Sequence, residues 1–151
     1  MTLPTITDTF HIISRPMRDD QDFWRMRDLL IETVPITPIG MNWDMRRLEG
    51  KRFYNEDLER NRLLARPVML WEDGGELVAY VVSEEDGDAH LQVHPDYRFL
   101  EAEMVAWATS TLGAPGDDGE RQLHINAMEY DALRQQLLAR DGFEQMPYGG
   151  M

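Results

Sequence analysis

The chain has 151 residues, 42% of them hydrophobic and 28% charged, with a net charge of −13 and no cysteine. That length and apolar content suffice for one domain with a core of its own. The missing cysteine excludes disulfides, a thiolate nucleophile and a Cys-ligated metal, and no apolar run approaches the roughly 20 residues of a membrane span. Residues 1–5 also lack the basic and apolar regions of a signal peptide, so the expectation is a soluble, cytoplasmic protein.

The charge is unevenly placed. Residues 1–67 carry 11 basic and 11 acidic side chains, whereas residues 68–151 carry 4 basic and 17 acidic ones, which accounts for the whole of −13. An acidic half argues against nucleic acid or an anionic membrane as partner.

Residues 10–15 read as a first strand closed by Pro16, and Asp19 or Asp20 as the cap of a helix carrying Phe23, Met26, Leu30, Ile31 and Val34 on one face. Pro35, Pro38 and Gly40 break it into a loop whose Ile36, Ile39, Met41 and Trp43 make either a wall for a ligand or part of the core. A more polar helix opens at Asn42 or Asp44 and fades near Gly50; residues 51–62 are charged and ambiguous. Strands over 67–71 and 77–82 flank Glu72-Asp73-Gly74-Gly75-Glu76, a hairpin signal, and residues 89–93 alternate as a third strand of that meander. Residues 99–112 form a helix stopped by a Gly/Pro/Asp loop at 113–119. Residues 123–127 are a further strand, 131–141 the last helix, and Phe143 begins a final strand that is short or missing. The order is β-α-α-β-β-β-α-β-α-β, an α/β fold with a mixed sheet in a single domain spanning 1–151.

The segment Val93-His94-Pro95-Asp96-Tyr97-Arg98-Phe99-Leu100-Glu101-Ala102-Glu103-Met104 runs from a strand end through a tight turn into a helix with acids in its first turn. It resembles the central motif of the GNAT acetyltransferases, Val-x-Pro-x-Tyr-Arg-Gly-x-Gly-x-Gly, with Val93, Pro95, Tyr97 and Arg98 in place. The hairpin at 72–76 and the Gly142-Phe143 pair after the last helix are similar to the family's, and the element order is the family's along essentially the whole chain. The resemblance implies acetyl-coenzyme A as donor, held by Val93, Arg98, Phe99, Leu100, Glu101, Ala102 and Glu103, and a small-molecule or peptide amine as acceptor.

The family's three glycine positions are Phe99, Glu101 and Glu103, so the phosphate motif is degenerate. Glycines there let amide N–H groups approach a pyrophosphate at the positive end of the helix. A carboxylate about 4–6 Å from a phosphate charge costs on the order of 3 kcal/mol, whereas the same acids satisfy the helix dipole at roughly 0.3–1 kcal/mol each. Where many GNAT enzymes carry Asn, Ala and an acid Tyr in the last helix, this chain has Asp131, Arg134 and Leu138. His90 and His94 share a face of the strand bordering the cleft and are the candidate bases for the acceptor amine; the histidines form no metal-ligand spacing, and no metal is expected. Two functions follow: an acetyl-coenzyme A-dependent N-acyltransferase, or a catalytically inactive GNAT-like module. As such a module it would be one half of a tandem protein, or a homodimer that completes its sheet with a partner's strand.

Overall fold

A computed structural model describes residues 10–53 and 66–146. In chain order the elements are β1 (Ile12–Pro16), α1 (Asp20–Thr33), a short 3-10 turn (Val34–Ile36), α2 (Met45–Phe53), β2 (Met69–Asp73), β3 (Glu76–Val82) and β4 (Asp88–Val93). A 3-10 segment (Pro95–Leu100) then leads into α3 (Glu101–Thr111), and β5 (Ala114–Pro115), β6 (Arg121–Gln122), β7 (His124–Ile125) and α4 (Ala132–Arg140) complete the chain.

Local chemistry explains most of these boundaries. The Asp19 side chain accepts the Asp22 amide and opens α1, whose Phe23, Met26, Leu29, Leu30 and Thr33 are buried. Gly74 and Gly75 both take positive φ, at 58° and 90°, as a two-residue turn between antiparallel strands requires. Pro16 belongs to β1 instead of closing it, because β1 lies at the sheet edge where a missing N–H is tolerated. Likewise α2 continues through Gly50 to Phe53, beyond the expected fading point.

The main sheet has the order β1-β2-β3-β4-β7, antiparallel except for the β4–β7 pair. Pairing steps from Trp71↔Ala79 to Glu72↔Leu77, so Val78 is the extra residue of a bulge. One face of the sheet, with Tyr80 and Val82, packs on Phe23, Met26, Leu30, Trp43 and Leu48 of the α1–α2 side. The other, with Ala79, Val81, Leu91 and Val93, packs on Met104, Val105 and Ala108 of α3 and Leu138 of α4.

Two expectations change here. The Gly/Pro/Asp loop contains a small hairpin, β5 against β6, and the strand expected over 123–127 shrinks to two residues. After α4, residues 143–146 have no regular structure; the rest of the expected final strand, and most of the ambiguous charged segment, lie outside the described residues.

Candidate functional site

β4 and β7 are paired only at Asp88↔His124 and Ala89↔Ile125. The His94 amide bonds Val78 O on β3, so the neighbouring Val93 presents its N–H and C=O to the opposite edge, the one β7 pairs with further back. Both groups are taken by one carboxamide. Asn42 Oδ1 accepts the Val93 amide at 3.0 Å and its Nδ2 donates to Val93 O at 2.9 Å, as a neighbouring strand would. Next to it, the Trp43 amide donates to buried Gln92 Oε1 at 2.7 Å, which docks the α1–α2 loop on β4.

The loop's apolar side chains divide between the two roles the sequence allows. Met41 and Trp43 are buried, whereas Ile36 and Ile39 are exposed. Gly40, at φ 85°, lies so close to Met128 that a Cβ would sit 2.9 Å from its Cε, and Tyr130 donates its hydroxyl to Ile39 O at 2.7 Å.

Just past β4, helical turns start earlier than expected. His94 caps them, its Nδ1 accepting the Asp96 amide at 3.1 Å, and the 3-10 segment carries a kink at Tyr97 before α3. The Glu101 amide donates to Arg98 O. The three side chains at the degenerate positions each find a partner. Phe99 packs on Phe10 and Tyr97, and Tyr97 anchors to Asp73 through its hydroxyl at 2.5 Å, a bond that pushes the phenol up to about 12. Glu103 Oε2 accepts the Trp71 indole N–H at 2.5 Å.

Glu101 turns inward, 2% exposed, between Arg98 Nε (2.5 Å) and Arg134 Nε (2.7 Å). Asp131 caps α4 by accepting the Arg134 amide and holds Arg98 Nη2 with both oxygens, at 2.8 and 2.9 Å. Burial works against the Arg98 charge, but Glu101 and Asp131 outweigh it and raise the guanidinium above its ordinary value. Among the described residues, Arg134 Nη2 is buried without a hydrogen-bond partner.

No family model matches the chain, and no curated protein matches it. Solved structures do. Protein yncA from Salmonella typhimurium, described as an acetyltransferase and solved with its cofactor acetyl-CoA, aligns at TM-score 0.59 and 18% identity, over 90% of this chain and 81% of that one. The aminoglycoside acetyltransferase AAC(6')-Iy, bound to the bisubstrate analog CoA-S-monomethyl-acetylneamine, aligns at TM-score 0.54 and 13% identity, over 91% and 93%. A third acetyltransferase, meta-AAC0020 from an uncultured soil metagenomic sample, solved with sisomicin, aligns at TM-score 0.52 and 12% identity, over 95% and 96%. The chain has the GNAT fold.

On the GNAT fold the two candidate bases stand apart. His94 lies just past β4 with its Nε2 3.5 Å from Glu32 Oε1 on α1. Because its Nδ1 accepts the Asp96 amide, the neutral ring carries its proton on Nε2, toward Glu32. His90 lies deeper, its Nε2 3.3 Å from both Asp88 Oδ2 and Glu84 Oε1 and its ring 5.2 Å from that of Trp43. Burial alone would raise Asp88, but bonds from His90, Ser83 and the Glu85 amide win and hold it at about 2. Glu84, Asp88 and His90 bring one ligand atom each within 4.8 Å, the spacing a cation needs; Arg47 already pairs with Glu84. Leu138, at the family's acid position, is buried in the core.

Sequence reasoning reached Val93 and residues 98–103 through the motif. The contacts that Asn42 makes with Val93, Glu32 with His94, and Asp131 and Arg134 with Arg98 and Glu101 were not anticipated, although the departures from the family pattern at 131 and 134 were the available signal.

Proposed function

We propose that this chain is a GNAT-type N-acetyltransferase, with acetyl-coenzyme A as donor and a small-molecule amine as acceptor. The observation that carries the reading is that β4 pairs with β7 only as far as Ala89, leaving its Val93 edge to the Asn42 side chain, with His94 and the Arg98 turn directly after it. Proteins of similar fold hold acetyl-CoA, a CoA–aminoglycoside analog and an aminoglycoside, which supports this pairing of donor and acceptor. The cationic side chains Arg98 and Arg134 fit the donor's phosphates, while Glu101 fills the place between them.

Bound acetyl-coenzyme A supplies a thioester carbonyl for an amine nitrogen to attack, with the thiolate leaving. The chain's own contribution is positional. The edge of β4 at Val93 aligns the reacting groups once Asn42 yields it, and Arg98 and the turn 98–103 take the donor's charge. Exposed Ile36 and Ile39 face the acceptor from the α1–α2 loop, and the His94–Glu32 pair receives the amine proton. A thiol of ordinary pKa near 8.5 departs without an obligatory acid, which accommodates Leu138 where a Tyr is common.

The test is a thermal melt with millimolar acetyl-coenzyme A, paired with mass spectrometry of a panel of small amines. Saturation at 100 times the dissociation constant gives about 2.7 kcal/mol, or roughly 5–10 °C. The expected result is a stabilising shift and an acetylated amine, with His94→Gln lowering turnover about 10²–10⁴-fold. No shift together with no product sinks the reading.

A second reading is favoured by one observation: Asn42 and Glu101 occupy the two places the donor would take. In that reading the chain is a non-catalytic GNAT-fold module, one half of a tandem protein or a dimerisation domain. It then acetylates no amine, and removing either occupant restores none.

A further inference from the structure

We propose that Glu84, Asp88 and His90 form a binding site for a divalent metal ion, Zn²⁺ by its geometry, where the β3–β4 turn meets β4. The site lies at the other end of β4 from His94 and does not depend on the donor reading above. Among themselves the histidines give no ligand spacing; this set takes one of them together with two carboxylates.

Three ligand atoms converge there. His90 Nε2 lies 3.3 Å from Asp88 Oδ2 and 3.3 Å from Glu84 Oε1, and all three atoms lie within 4.8 Å of one another. A proton on Nε2 serves two acceptors at that distance poorly, since a good N–H···O bond measures about 2.9–3.0 Å. A metal ion serves all three at once. Zinc bonds of about 2.0–2.1 Å, set at tetrahedral angles, put neighbouring ligand atoms about 3.3–3.4 Å apart. That is the separation found on both sides of the imidazole nitrogen. Octahedral Mg²⁺ at about 2.0–2.1 Å brings its ligands to about 2.8–3.0 Å, and Ca²⁺ takes about six to eight oxygens in place of an imidazole.

The surrounding contacts hold the three side chains in this arrangement. Asp88 Oδ1 is taken by the Glu84 and Glu85 amides at 2.9 and 3.2 Å, with the Ser83 hydroxyl at 2.8 Å, which leaves Oδ2 as the oxygen turned to His90. Arg47 steadies Glu84: its Nε donates to Oε2 at 3.1 Å, and its Nη2 contacts Oε1, an oxygen with a second lone pair for a metal. Arg47 lies over the Trp43 ring, 4.4 Å from its centroid, and Trp43 flanks His90. Outer partners of this kind orient metal ligands. The side chains of Glu84, Asp88 and His90 keep 15%, 20% and 17% of their surface, so an ion can enter and water can complete the fourth position, as at zinc sites with three protein ligands. The bound ion ties the β3–β4 turn to the first residues of β4.

The test titrates the full chain, freed of metal with a chelator, with zinc chloride by calorimetry in a non-coordinating buffer. One equivalent is expected, and saturation at 100 times the dissociation constant should raise the melting temperature by roughly 5–10 °C. Co²⁺ in place of Zn²⁺ should give the strong visible absorption of a tetrahedral site, and Mg²⁺ should give no binding heat. His90→Gln should weaken Zn²⁺ by more than about tenfold, the least that loss of an outer partner costs, while His124→Gln leaves it unchanged. If His90→Gln does not fold, Glu84→Gln must show the same loss. No binding heat, cobalt with the weak spectrum of an octahedral ion, or equal zinc affinity in the unmodified chain and His90→Gln overturns the proposal. A loss in His124→Gln as large as that in His90→Gln does so too. Zinc binding without any acetylated amine leaves this inference standing and removes the transferase reading; acetylation without zinc binding does the reverse.

Discussion

Among the described residues, two quartets of two arginines and two carboxylates can be compared, and they differ in how fully their members are paired. In the first, Arg15 grips Asp22 with two bonds of 2.7 and 2.8 Å and reaches Glu72 at 3.1 Å. Arg25 meets Glu72 at 2.7 Å and also donates to Gly75 O. The Arg18 amide adds a further bond to Asp22. This quartet joins the start of α1 to the β1–β2 edge, and its arginines keep 13% and 32% of their side-chain surface. The second, between α3 and α4, buries both carboxylates to 2% and leaves one guanidinium nitrogen without a partner among the described residues. The same four residue types are saturated where they reach solvent, and are one acceptor short where they are buried.

The sharpest way to break that contrast is to remove one member of each quartet and compare urea unfolding. Glu101→Ala should cost about 3–5 kcal/mol, because it strands the buried Arg134 charge, and Glu101→Ala with Arg134→Met should recover most of the loss. If the double variant recovers nothing, Glu101 is holding more than Arg134, and the contrast between the quartets fails. Asp22→Ala should cost less, about 1.5–3 kcal/mol, since Arg15 keeps Glu72 and partial access to water. A loss larger than that of Glu101→Ala would reverse the ranking.

Acid titration gives the smallest and most selective effect. The bonds from Arg15, together with the Arg18 amide, hold the Asp22 carboxyl at about 2, below its ordinary 3.8. Burial would raise Glu72, but Arg15 and Arg25 outweigh it and lower it as well. For groups whose folded value is depressed, stability is fully present above the unfolded value and is lost as pH falls through the folded one. The first quartet should therefore hold above about pH 4 and weaken between about 4 and 2, and Asp22→Asn should flatten that limb of a melting-temperature profile. An unchanged limb in Asp22→Asn would show that the acid loss arises elsewhere.

What the sequence disclosed follows the range of the interactions involved. The Gly74–Gly75 turn, the Asp19 cap and the burial of Phe23, Met26 and Leu30 on α1 are settled within a few residues and were legible. Ile31 and Val34, expected on the same face, are exposed because Leu29 and Thr33 take the core side. Pro16 was misplaced because its tolerance depends on β1 being an edge, which only the assembled sheet decides. The shortened β7 and the β5–β6 hairpin depend on what β4 and Gly87 offer across the fold: the His124 amide, for example, bonds Gly87 O. At the candidate site, the motif located Val93 and Arg98, but Glu101 and Arg134 are 33 residues apart and Asn42 and Val93 are 51 apart. Nothing local says that a first-turn acid will turn inward, or that a loop asparagine will stand in for a strand.

Tyr130 and Asp131 are consecutive, yet one grips the carbonyl of Ile39 in the α1–α2 loop and the other grips Arg98 at the start of the helical turns. The α1–α2 loop and the Arg98 turn are thus held by neighbouring residues of one short piece of chain, so a displacement of either contact strains the same backbone.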